Sequence, residues 1–402
     1  MTSAPTATAA TVSAATPVVG SVPVPAAVIA AAAQRLEFLR AQMPKAPPLP
    51  LPSGPDCRHV PVATAAELAA AIRDAQPGDV ILLADGVYAM PRGVTVLVDR
   101  VQIRGASCDP AQVILDGSAE FMEVNAALIM VKRSRRVTFA HLTFRNSRKY
   151  GLLFYGDAAV RYLHLYNCRF HNIWARGLKG TGAQMPEDNP ANGRNAADVI
   201  EAIRPRQGRV EYCEFTADHI KTDLGDGFGG DYIAGMDMMH LDGWTVTRSL
   251  FFNLRGARGG GRGGIFIWVQ SRDLTIERNL FVDCDRSIAL GNPSQVAHFN
   301  VDGATVRDNV IVNGAGHAME CLATRDVCVF DNRIYATQLG MATVEWKYGA
   351  VGGCFERNLV RGRLDFESTV TPRDCTIDPA PIAAASLAAN ADLAALIRPV
   401  PQ

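Results

Sequence analysis

The chain has 402 residues, 48% hydrophobic and 20% charged, which is enough to bury a large core and too apolar for a disordered polymer. Forty Lys and Arg balance forty Asp and Glu, so no global field draws it to nucleic acid or to an anionic membrane. No run reaches the roughly 18 to 20 consecutive apolar residues of a membrane-spanning helix.

Residues 1–34 are rich in Ala, Thr, Val and Pro and contain no Lys or Arg. A signal peptide needs a basic start and a longer apolar core, so this segment reads as a disordered leader, with a degraded export signal as the alternative. A short helix is expected over Val28 to Gln42, and "MPKAPPLPLPSGP" after it reads as a stiff linker or wrap ending the leader near residue 55. "TAAELAAAIRDA" (Thr64 to Ala75) opens with the T-x-x-E of a capping box, which predicts a short helix capping the N-terminal end of the main domain. Nine cysteines occur with no CxxC spacing, which argues against zinc or thioredoxin-type chemistry. Cys168, Cys213 and Cys284 fall in repeated strands, where a thiol serves as a small core hydrophobe.

From there the chain repeats itself. "LTIERNLFVDC", "ATVRDNVIVNG", "VCVFDNRIYAT" and "GGCFERNLVRG" share an Asn at 279, 309, 332 and 358, about 23 to 30 residues apart. Weaker copies upstream bend at Leu142, Cys168, Cys213 and Ser249. A further strand precedes each marker, among them "GLLFYG", "GLKGT", "GMDMMH", "GIFIWV" and "VEWKY". Three short strands per repeat, without helical periodicity, predict an all-β fold, a right-handed parallel β-helix over residues 56–380. Leucine-rich repeats lack the matching frame, and propeller blades are longer. The Asn suits a tight bend, since its amide tolerates left-handed backbone angles and can bond to the Asn stacked on it. Residues 381–402 are a tail with a short helix. Two repeats are lengthened, by segments 182–209 and 216–234, and such insertions project as loops on one face.

The coil count, "VTVLVDRVQIRGASCDPAQVILDG", "GLKGT" and "GGIFIWVQSRDLTIERNLFVDCDRSIALGN" resemble bacterial right-handed parallel β-helix proteins of the pectate-lyase-like superfamily, from about Pro61 to Asp378. That resemblance implies the fold and a carbohydrate-active role. The superfamily includes lyases, hydrolases and epimerases, and its lyases use Lys and Arg.

Adjacent coils stack about 4.8 Å apart, and alternate side chains of a strand point outward. The inward set of the strands that open each coil is Ile129, Leu152, Met236, Ile265, Ile288, Met319 and Val344. The outward set is Lys132, Tyr155, Lys179, Asp237, Phe266 with Trp268, Ala289, Glu320, and Glu345 with Lys347. Aromatic faces among charges suit sugar rings, whereas a charged solubilising surface would explain the charges alone. A groove on this face binding an anionic polysaccharide or oligosaccharide is therefore expected.

A lyase needs a base for the proton α to a uronate carboxylate and a cation to neutralise that carboxylate. Lys179, Asp237, His240 and Arg262 are the catalytic candidates, with Lys179 as base. Tyr155, Arg176, Arg258, Phe266, Trp268, Glu320, Glu345 and Lys347 are the substrate-contact candidates. An inverting hydrolase needs carboxyls roughly 6.5 to 9.5 Å apart, and Asp237 to Glu320 spans three coils, about 14 Å. Glu320 and Glu345, one coil apart, come nearer the retaining spacing, so hydrolase, epimerase and plain glycan-binding readings stay open beside the lyase. In "DLGDGFGGD", Asp223, Asp226 and Asp231 offer ligands for Ca2+ without the EF-hand order; an ordinary loop is the alternative. "RGARGGGRGG" has the composition of an RNA-binding tract, yet it lies between coils of a neutral protein and fits a basic loop over an anionic sugar. Such a substrate implies a periplasmic or secreted protein.

Overall fold

The computed structural model describes residues 23–118, 127–156, 159–182, 196–296, 298–314, 316–338, 340–367, 369–383, 387 and 389–397. Among these, the strands form three all-parallel sheets of twelve, ten and eleven strands. Successive strands pass from one sheet to the next, so three strands complete a coil. This is the parallel β-helix that the repeat predicts, and right-handed is the sense that parallel crossovers almost always adopt.

Period-2 alternation explains the stacking. Ile129, Leu152, Leu178, Met236, Ile265, Ile288, Met319 and Val344 lie in register along the ten-stranded sheet, and all are fully buried. On the eleven-stranded sheet, Phe144, Phe170, Phe215, Phe251 and Phe281 form a face-to-face column with centroids 4.6 to 5.1 Å apart. Each coil thus buries its apolar face only against its neighbours.

The marker asparagines form a buried ladder. Asn279, Asn309 and Asn332 each donate from Nδ2 to the Oδ1 of the next Asn at 3.0 Å, ending on Asn358. The same Oδ1 atoms accept the backbone N–H of the Asn before, and Nδ2 also reaches a strand carbonyl such as Ile276 O. The ladder continues to Ser249 at one end and to Cys375 Sγ at the other. The left-handed angles fall one residue earlier than expected, on Arg278, Asp308, Asp331 and Arg357, with φ of 50 to 57°. The reason is geometric: the residue before the Asn turns the corner and points outward, which aims the Asn amide inward. Asn309→Ala strands the ladder groups on both sides. A loss of about 1–3 kcal/mol for each buried group left unpaired is expected in urea unfolding, and a total loss under about 1 kcal/mol would show that the ladder is dispensable.

Four elements dress the solenoid. Helix Ala65–Arg73 caps its N-terminal end, with both capping-box bonds between Thr64 and Glu67 formed and with Leu68 and Ile72 buried on the first coils. Segment 43–55 wraps across the twelve-stranded sheet, where Arg104 donates to Leu49 O and Pro50 O and Tyr166 donates to Pro47 O. Helix α1 (Ala26–Gln42) packs Leu36 and Leu39 on Leu250, Phe252, Leu280 and Val310 of the eleven-stranded sheet. A second helix, Asn390–Ile397, joins it there through Leu393 and Ile397. The ten-stranded sheet is left to face the second insertion, whose Tyr232 lies over Arg176. No helix among the described residues is long and apolar enough to cross a membrane.

Candidate functional site

Four glycines set the position of the groove strands. A Cβ on Gly151, Gly177, Gly235 or Gly264 would come within 2.7 to 3.0 Å of the ring of Phe170, Phe215, Phe251 or Phe281. Hydrogen at these positions lets the ten-stranded sheet close on the Phe column, which fixes the two residues that follow each glycine. In "GLKG" and "GMDM" those positions lead to Lys179 and Asp237, which pair in register.

Lys179, Asp237 and Arg176 form a buried ionic cluster with side chains 7%, 3% and 2% exposed. Asp237 Oδ2 accepts from Arg176 Nε at 2.7 Å and faces Lys179 Nζ at 2.9 Å, and Oδ1 accepts from Trp268 Nε1 at 3.1 Å. Burial alone would raise the Asp237 carboxyl above the usual range, but Lys179 and Arg176 outweigh it and hold it below. The Arg176 guanidinium also lies over the Tyr232 ring, 3.7 Å from its centroid. Tyr232 Oη meets Tyr150 Oη at 3.5 Å, and burial followed by this neighbour raises the Tyr150 hydroxyl's pKa. Tyr232 belongs to the second insertion, which folds down over Arg176 instead of standing in solvent. Lys221 anchors it by donating to Asp226 at 2.7 Å.

One coil further on, Phe266 and Trp268 stack with centroids 5.2 Å apart, and the Arg262 guanidinium sits 5.6 Å from the Phe266 centroid. No carboxylate among the described residues lies within ion-pair distance of Arg262, although it is half-buried. Burial, and then Arg286, lower its pKa against the opposing pull of Glu320 and Asp237, neither of which is at ion-pair distance.

Glu320 and Glu345 are in register at the far end of the row. Glu320 accepts from Arg286 at 2.8 Å, and Lys347 bridges Glu345 at 3.0 Å and Asp365 at 2.8 Å. Between the two glutamates lies His317 Nε2, 3.5 Å from Glu320 and 3.7 Å from Glu345.

The remaining candidates lie at the margins. Tyr155 is not beside Lys179: Leu153 pairs with Lys179, and Tyr155 stands two residues beyond it, under the Lys132 ammonium at 4.0 Å. Period 2 says which face a residue takes but not which row, so Lys132 and Tyr155 were placed one row short. His240 turns the corner after its strand with φ 55°, and burial and then Arg204 lower its pKa to about 4, which keeps the imidazole neutral at pH 7. Arg258 is exposed on the basic loop. Asp226 takes backbone N–H groups from Phe228, Gly230 and Tyr232 besides Lys221, which lower it to about 2 against the effect of burial. Asp223 accepts from Gly225 and Asp231 from Arg258. Of the first insertion, residues 183–195 lie outside the described residues; Ala196–Ile203 is a helix. Tyr150, Tyr232, Arg286 and His317 were missed, and "GHAME", with His three before the outward Glu320, was the available signal. A cavity of about 740 Å³ lies elsewhere, beneath the capping helix between Ile72, Val94 and Leu97, so the candidate site rests on its side chains and not on the size of a hollow.

No family model matches the sequence, and no curated protein matches it. Among solved structures, an alginate lyase from Paenibacillus sp. str. FPU-7 is 12% identical over 80% of this chain and 99% of its own, with TM-score 0.48. The pectate lyase Pel9A is 13% identical over 82% of both chains, with TM-score 0.45. The A-module of the Azotobacter vinelandii mannuronan C-5 epimerase AlgE4 is 11% identical over 79% of this chain and 96% of its own, with TM-score 0.42. At such distances the likeness concerns the winding of the chain and leaves its chemistry to the side chains.

Proposed function

We propose that the ten-stranded sheet binds an acidic polysaccharide and cleaves a uronate-containing polymer by β-elimination. The observation that carries this reading is Arg262: a half-buried guanidinium without a carboxylate partner among the described residues, beside the stacked Phe266 and Trp268. Asp237, on the neighbouring coil, is already shared by Arg176 and Lys179, and Glu320 is already held by Arg286. A substrate carboxylate supplies the missing negative charge, and the half-exposed Trp268 face supports the sugar ring.

In the elimination, the proton α to the carboxylate passes to the base and its electron pair forms the carbon–carbon double bond. The glycosidic carbon–oxygen bond breaks, and the leaving oxygen takes up a proton. Arg262 neutralises the carboxylate on which charge develops, and Lys179 is assigned as the base. Its ammonium, held by Asp237 here, must first release a proton, while Arg176 and Trp268 keep Asp237 satisfied when that contact opens. A polymeric substrate favours work outside the cytoplasm.

The test is a panel of uronate polymers followed by the ultraviolet absorbance of the unsaturated product. New reducing ends without that absorbance would replace the lyase by a hydrolase; inverted residues in an uncut chain would replace it by an epimerase; binding alone would make the groove a glycan-binding surface. Within the lyase reading, Arg262→Ala should weaken binding of acidic oligosaccharides by roughly 10- to 100-fold, the worth of a charge-assisted hydrogen bond. The loss of ground-state binding should appear in KM and be reduced at high salt, with a fall in kcat beside it because charge develops on the carboxylate in the transition state. A KM unaffected by the substitution would show that Arg262 does not touch substrate.

A further inference from the structure

We propose that His317, Glu320 and Glu345 form a binding site for one divalent transition-metal ion of the zinc class, at the far end of the groove from Lys179. Among the described residues this is the one set of three His, Cys, Asp or Glu side chains whose ligand atoms lie within 4.8 Å of one another. His317 is 95% buried, and its Nδ1 lies 2.7 Å from Ala342 O, a contact in which only the nitrogen can donate. That places a hydrogen on Nδ1 and aims Nε2 at the glutamates, the orientation that a backbone carbonyl imposes on metal-bound imidazoles.

The separations fit the same ion. Nε2 stands 3.5 Å from Glu320 Oε1 and 3.7 Å from Glu345 Oε2, long for hydrogen bonds. Two ligands bound at about 2.0 to 2.1 Å in a tetrahedron lie roughly 3.3 to 3.4 Å apart, so both imidazole–carboxylate separations come within a few tenths of an ångström of that value, and the two carboxylates, within 4.8 Å of each other, would close on the ion. The imidazole donor selects zinc-class ions over Ca2+ and Mg2+, which take oxygen ligands. Arg286 and Lys347 already neutralise part of the carboxylate charge, which limits affinity and leaves the fourth position for water or a ligand oxygen.

The experiment is titration of the chelator-treated full chain with Zn2+ by calorimetry, with Co2+ as spectroscopic probe and Ca2+ and Mg2+ as controls. One Zn2+ per chain, a raised unfolding temperature and visible Co2+ bands are expected. His317→Gln and, separately, Glu345→Gln should each weaken binding at least 10- to 100-fold; the second replaces a partly exposed side chain and keeps the test open if the first variant unfolds. No Zn2+ uptake by the native chain, uptake undiminished in both variants, or a preference for Ca2+ would each overturn the site. None of these outcomes depends on whether the groove cleaves a polysaccharide.

Discussion

Asp237→Ala should destabilise the protein by about 3–5 kcal/mol, the cost of removing one partner from a buried ion pair. The carboxylate is the common acceptor of Arg176, Lys179 and Trp268, and its removal leaves two cations dry and uncompensated. Attraction within the cluster need not contribute much on balance, since burying all three groups is itself expensive; the loss comes from what is left behind. Urea unfolding measures it directly, and the midpoint should shift without a change in slope. A loss below about 1 kcal/mol would mean that water reaches the cluster and that the second insertion does not seal it, as for an exposed pair.

Lys179→Ala should act in the opposite way, lowering turnover by about 10²- to 10⁴-fold, the usual contribution of a general base, while the unfolding temperature barely moves. Stability is spared because Asp237 keeps Arg176 at 2.7 Å and Trp268 at 3.1 Å. Substrate binding, set by Arg262 and Trp268, should persist, so the loss belongs in kcat. If Lys179→Ala is fully active while His240→Ala is dead, the base has been misassigned. The neutral His240 imidazole at the groove edge would then be the alternative base.

The architecture was readable because it is written locally. Alternation every two residues named the inward column, and the recurring Asn named the corners. The row Lys179, Asp237, Phe266, Ala289, Glu320 and Glu345 also follows from alternation, and the strands place it in register. What could not be read depends on contacts between distant segments. Tyr232 and Lys221 lie in an aperiodic insertion, and only its docking over Arg176 reveals them. The burial of Lys179 and Asp237 has the same origin, since an outward position on an exposed strand predicts a wet charge. Tyr155 was displaced because rows two residues apart share a face. His317 escaped because it sits at a corner, where strand alternation no longer applies.

The two helices on the eleven-stranded sheet impose an order of assembly. Coils can form one upon another as the chain emerges, but Arg35 of α1 donates to Asn390, 355 positions along the chain, and Leu36 and Leu39 rest on coils around residues 250 to 335. In vectorial synthesis α1 appears among the first elements and finds its seat among the last. The entropy of closing so long a loop grows only logarithmically with its length, so delay, rather than free energy, is the burden. Once docked, the helix ties residues that precede the first coil to the helix that follows the coils and adds a long-range latch to a stack of nearest-neighbour contacts.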